Sequence, residues 1–303
     1  MAFYTMADGE QLYVREIGQG QPVLILSGLG MSSWQWLPFI ASHLKTHKFY
    51  IPDFRGFGGS KNCKIPQHLS AIESHWQDLT VLLPQLNIPK FKLIAYSMGA
   101  TTTMHGLKYG NFSNHIARYL HIDQTSKIKI SEDWPYGLYG EKQQNFYIFL
   151  DKIIKLLELY KDKIWIKHLP KNAQQQLSTL WDEFMRLQNP HPHPLLKKIN
   201  QSHNLHALQN RLIPLQRIDY ILWYLKTYLE HDEDYREALA QLKQPAEFII
   251  GKQSVLYHYQ GQLEISQKLA EHKIHLMQKS GHVPLLSEPF KFYKILTQFL
   301  HAD

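Results

Sequence analysis

"LIAYSMGA", Leu93 to Ala100, carries an apolar run directly into a serine flanked by small residues. Leu93 to Tyr96 reads as a buried strand, and a helix-compatible run begins at Met98, so Ser97 stands on a strand-to-helix turn. Ala95-Tyr96-Ser97-Met98-Gly99 fits the G-x-S-x-G pattern of a nucleophile elbow, with alanine in the first place. Small residues are required there because the turn is strained and crowded. Such a turn presents the serine oxygen above the sheet edge, and the helix N-terminus aims backbone N–H groups at any oxyanion formed beside it. Taken alone, the pentapeptide is better read as a helix-capping serine, so the rest of the chain has to decide.

Outward from this turn, the first 125 or so residues alternate β-branched or aromatic runs with helical patterns, the rhythm of β-α-β units. "FYTMADGEQLYVREIG" predicts an opening hairpin turning at Asp8-Gly9, and "PVLILSG", "KFYIPDF", "FKLIAYS" and "ARYLHID" follow as strands. From 127 to 242 the strand-like runs vanish and apolar residues recur at helical spacing, which predicts an all-helical insertion. The β-α rhythm returns in 243–303 with "AEFIIG", "KIHLMQ" and a closing helix. The expected fold is therefore α/β: a mostly parallel sheet flanked by helices, encoded by 1–126 and 243–303 and interrupted by a helical lid.

The 303 residues, 44% of them apolar, are enough for a sizeable core. No run approaches a membrane span and no signal peptide is visible, so the expected location is the cytoplasm, and the single cysteine, Cys63, fits a reducing compartment. The net charge of +7 is spread without a basic tail or a recognisable motif, which argues against nucleic acid as a partner. "NPHPHP" at 189–194 offers two histidines among prolines, fewer than a metal site needs, and reads as a rigid connector.

A second chemical element is "QKSGHVPLLSEPF", in which a short strand gives way to Gly281-His282 before the last helix. A histidine on a loop after the last strand can reach over the sheet to Ser97 and serve as general base, then general acid. "LSGLG" after the first parallel strand and "PDFRGFGGS" after the next complete a set of four motifs. In their order and approximate spacing they resemble the α/β-hydrolase superfamily, on both sides of the insertion. That resemblance implies a serine hydrolase with a helical cap, an acid between serine and histidine in the chain, and an oxyanion hole formed by the backbone N–H groups of Leu29 and Met98. It implies no cofactor and no metal. Gly28, Trp34, Tyr96, Trp134, Tyr136 and Tyr139 are the candidate lining of the substrate pocket.

The acid is the unresolved element. The commonest pattern places G-x-x-D after the strand equivalent to "AEFIIG", whereas this chain has Gly251-Lys252-Gln253-Ser254. A hydroxyl cannot compensate the charge that develops on the imidazole, and neutralising the acid of a serine protease lowers kcat by about 10⁴. Glu247 lies within a strand and Glu264 within a helix, so neither is well placed. Asp123 ends "ARYLHID" at the sheet edge that carries Ser97 and is the expected acid; its competing role is a turn cap opening "QTSK". Asp53 also ends a strand and stays as an outside candidate.

The expected activity is hydrolysis of a small-molecule carboxylic ester with a medium acyl or aromatic group, through an acyl-enzyme formed on Ser97. A sharper alternative is an esterase resembling those that act on acyl-carrier-protein methyl esters in pimeloyl (biotin) synthesis. An acyl carrier protein is then a candidate partner, met by basic residues such as Lys127, Lys129, Lys142 and Arg186. A C–C hydrolase or lactonase, or a non-catalytic ligand-binding homologue, are the remaining alternatives.

Overall fold

Eight strands form one sheet in the order β1-β2-β4-β3-β5-β6-β7-β8. The structure, a computed structural model, describes residues 2–188 and 217–302. β1 (Ala2–Thr5) and β2 (Gln11–Gly18) make the antiparallel opening hairpin, with Gly9 at φ +82° in its turn. β2 also pairs antiparallel with β4 (His47–Pro52). From there the pairing is parallel through β3 (Gln21–Leu26), β5 (Phe91–Tyr96), β6 (Ile116–Ile122), β7 (Ala246–Gly251) and β8 (His272–Met277).

Every residue of β5 and β7 is buried, as expected of strands covered on both faces. Val23, Ile25, Ile94, Leu120, Ile122 and Ile249 form one contiguous core layer with the closing helix residues Phe292, Leu296 and Phe299. Full burial of each such aliphatic side chain contributes about 1.5–3 kcal/mol. The first helices that matter for the site are α1 (Ala71–Leu86) and α2 (Met98–Tyr109). At the start of α1, Ser70 and Glu73 exchange hydrogen bonds in a capping box, and the helix ends on left-handed Asn87.

The described residues divide into two compact units, 1–140 with 232–303, and 141–231. The second unit contains α3 (Gln143–Glu158), α4 (Lys171–Gln188) and α5 (Ile218–Glu230). Phe146, Phe149, Leu150, Ile153, Ile154 and Leu157 bury one stripe of α3 at the 3–4 residue spacing of an amphipathic helix. Lys226 of α5 bonds Glu158 at 2.5 Å.

The helical unit is narrower than the 127–242 expected. Residues 127–140 and 232–242 hydrogen-bond into the sheet-bearing unit: Tyr235 N–H to Ser126 at 2.9 Å and Tyr139 N–H to Leu256 at 2.8 Å. The change of composition at Lys127 marks where strand-forming sequence stops, which is not where the unit stops. After β7 the chain forms α6 (Tyr259–Ser266), and α7 (Pro289–His301) closes the fold.

Candidate active site

Ser97 occupies the turn between β5 and α2 with φ +51° and ψ −119°, a conformation that costs a non-glycine residue of order 1–3 kcal/mol. Its neighbours make the turn possible. A Cβ on Gly99 would lie 2.2 Å from the Leu26 carbonyl oxygen, and one on Gly28 would lie 2.9 Å from the Tyr96 ring and 3.3 Å from the Ser97 Cβ. The "LSGLG" loop therefore rests directly against the serine. The Ser97 N–H is held by the Ile122 carbonyl at 3.1 Å, which ties the turn to the end of β6.

The His282 Nε2 stands 2.9 Å from the Ser97 Oγ, and its Nδ1 stands 2.8 Å from Asp123 Oδ2. A carboxylate only accepts, so Nδ1 donates to Asp123 and Nε2 is left to accept from the serine hydroxyl. Asp123 itself is fully buried and, at φ +41°, also left-handed. Its Oδ1 accepts from the Gly251 N–H at 2.8 Å and from Gln262 Nε2 at 3.1 Å, while Oδ2 also accepts from Ser254 Oγ at 2.8 Å. Ser97, Asp123, Ser254 and His282 thus follow β5, β6, β7 and β8, four neighbours in the sheet. The chain crosses 185 positions to bring serine and histidine together.

The histidine loop is braced on both sides. The Tyr96 hydroxyl donates to the His282 carbonyl at 3.0 Å, and the Tyr257 ring meets the imidazole edge to face at 5.2 Å. Gly251 is forced by the same loop, because a Cβ there would fall 2.2 Å from the Gly281 carbonyl oxygen. Leu29 is exposed and followed by left-handed Gly30, while Met98 is buried. Neither the Leu29 nor the Met98 N–H donates to another group among the described residues.

The other acid candidates are committed elsewhere. Asp53 accepts from the Ser33 N–H at 2.5 Å and the Gly59 N–H at 2.7 Å, and burial pushes its carboxyl up. Burial also pushes the Glu247 carboxyl up, but a 2.6 Å bond from His275 and the charges of Lys273 and Arg118 outweigh it and hold the group low. Glu264 pairs on the surface with Lys268.

The residues expected to line the pocket differ in their surroundings. Trp134 is fully buried, donates to the Lys127 carbonyl at 3.2 Å and lies under Arg236, so it is a core residue. Tyr139 is buried in a left-handed turn, and Tyr96 serves as the brace described above. Tyr136 is half-buried, stacked on His258, whereas Trp34 is 59% exposed. Lys127 pairs with Asp133 and Asp234, and Lys129 with Asp232, so two of the four cations expected to meet an acidic partner are already neutralised. The Arg186 side chain and "NPHPHP" lie outside the described residues, among which no cluster of three or more His, Cys, Asp or Glu is placed to hold a metal ion. No helix among them is long and apolar enough to cross a membrane.

Residues 21–289 match the family described as alpha/beta hydrolase fold. The chain is 23% identical over 290 residues to a pimeloyl-[acyl-carrier protein] methyl ester esterase of Legionella pneumophila (strain Corby), covering 95% of this chain and 99% of that protein. It is 21% identical over 296 residues to the protein of the same name from Vibrio atlanticus (strain LGP32), covering 96% and 98%. Among solved structures, an esterase from Exiguobacterium antarcticum superposes with a TM-score of 0.74 at 18% identity, covering 99% of each chain.

Proposed function

The chain belongs to the alpha/beta hydrolase fold family, and we propose that it is a serine hydrolase that cleaves a carboxylic ester through an acyl-enzyme. The observation that carries this reading is the continuous relay from Ser97 Oγ through His282 to Asp123, with contacts of 2.9 and 2.8 Å. Ser97 attacks the ester carbonyl while His282 Nε2 takes its proton, and Asp123 orients the imidazole and compensates its charge. The N–H groups of Leu29 and Met98 receive the oxyanion, and His282 returns the proton to the departing alkoxide. Water activated by the same imidazole then releases the acid. The strained turn at Ser97 supports this role, since such strain persists where the surroundings enforce it.

Within this activity, the full-length match to pimeloyl-[acyl-carrier protein] methyl ester esterases favours a methyl ester carried on an acyl carrier protein as the substrate. We read Lys142 as a residue available to an acidic carrier because it is exposed. The buried, single Cys63 is in keeping with a cytoplasmic enzyme.

A fluorophosphonate probe tests the nucleophile. One equivalent should attach to the wild-type protein and none to Ser97→Ala; equal labelling of both would overturn the reading. A panel of short esters, long esters, lactones and acyl-carrier methyl esters then separates the substrates, and carrier-bound methyl esters should give the highest kcat/KM.

A further inference from the structure

The usual acid position holds Ser254, and its hydroxyl is turned toward the acid at the end of β6. We propose that Ser254 and Gln262 are positioning residues which hold the Asp123 carboxylate, displaced by one strand, where His282 can use it. This inference rests on the reading of Asp123 as the acid.

A carboxylate offers about four acceptor sites, and Asp123 has four donors. Gly251 N–H and Gln262 Nε2 reach Oδ1 at 2.8 and 3.1 Å, and Ser254 Oγ and His282 Nδ1 reach Oδ2 at 2.8 Å each. Three of them arise from β7 and the segment after it, the region that would have held the acid. Ser254 is itself oriented, because its Oγ accepts from the Tyr257 N–H at 3.4 Å and so points its proton at Asp123. Gln262 is oriented too: Nε2 also donates to the Tyr257 carbonyl at 3.1 Å. Its Oε1 has no hydrogen-bond partner among the described residues although the side chain is buried. Burying an amide with its acceptor unused is costly, and the donor half accounts for its being there.

With both oxygens fixed by donors of the β7 side, the carboxylate is kept from rotating away from the imidazole. Ser254 shares an oxygen with His282, so a carboxylate at position 254 would also face the imidazole. Residues 123 and 254 are alternative seats for one negative charge.

The test uses the full-length protein and p-nitrophenyl butyrate. Ser254→Ala and Gln262→Leu should each lower kcat about tenfold, the scale of one lost hydrogen bond to a charged group, while KM changes less than about twofold. Ser254→Thr, which keeps the hydroxyl, should recover most of the kcat lost in Ser254→Ala. Asp123→Asn should lose about 10⁴ in kcat, and Asp123→Asn combined with Ser254→Asp should regain at least about 10² of it. Melting temperature is followed for each variant. A fall in stability for Ser254→Ala with kcat unchanged overturns the inference and leaves the acid assignment standing. A folded double variant no more active than Asp123→Asn overturns it as well. Near-normal turnover in Asp123→Asn refutes the acid assignment itself.

Discussion

Two strand ends on one sheet edge each carry a buried aspartate, Asp53 after β4 and Asp123 after β6, and they have become different devices. Asp53 is clamped by backbone N–H groups of two loops, those of Ser33 and Gly59, so its charge holds loops together. Asp123 is held by one backbone N–H, an amide and a hydroxyl, and its remaining acceptor site faces an imidazole. Both are strand-end aspartates introducing a turn. The identity of the donors, supplied by segments distant in sequence, decides which one meets an imidazole.

The comparison breaks most sharply under the same substitution at both sites. Asp123→Asn should cost about 10⁴ in kcat with the fold retained. Asp53→Asn should leave kcat within a few-fold but lower stability by about 1–3 kcal/mol, because the amide keeps one acceptor oxygen for one loop while its N–H₂ cannot accept from the other. Paired kinetics and urea unfolding would read both, and a large kcat loss at Asp53 would erase the distinction.

A smaller effect is expected from the glycines beside each carboxylate. Gly251→Ala places a Cβ 2.2 Å from the Gly281 carbonyl oxygen and pushes the His282 loop outward, which should cost about 10² in kcat, the scale of a 1 Å misplacement. Gly58→Ala instead meets Asp53 Oδ2 at 2.0 Å in a left-handed backbone and should register as a lower melting temperature.

An effect on stability with no expected change in kcat concerns pH. His121, two residues before Asp123, is fully buried, with Nδ1 2.8 Å from the Tyr119 hydroxyl and Nε2 3.0 Å from the Gln124 carbonyl. Burial pushes its imidazole down to about 4. The unfolded chain takes up a proton near pH 6.5 and the folded one does not until about 4, so stability is present above that window and lost as pH falls through it. Unfolding free energy should fall by up to about 1.4 kcal/mol per pH unit from this residue, and His121→Gln should flatten the dependence.

Much of the candidate site is legible along the chain because local rules govern it. The elbow at Ser97 follows from crowding at a strand-to-helix turn, and His282 and Asp123 follow from the edge at which parallel strands end. The parts of Ser254 and Gln262 are not legible, since those side chains meet Asp123 across 131 and 139 positions and no spacing rule links them. The surroundings of Trp134 are not legible for a related reason. An aromatic after a strand is compatible with pocket or core, and only the packing of residues 127–140 against 232–242 encloses it.

The parallel order β5-β6-β7-β8 also has a consequence in time. Ser97 and Asp123 are made early in synthesis, while His282 follows the last strand, so the three side chains meet only after β8 docks. Non-local pairings of this kind form slowly. Covalent capture by the phosphonate should therefore act as a late clock of refolding, rising after the far-ultraviolet circular dichroism has recovered, and stalled chains ending before residue 272 should stay unlabelled.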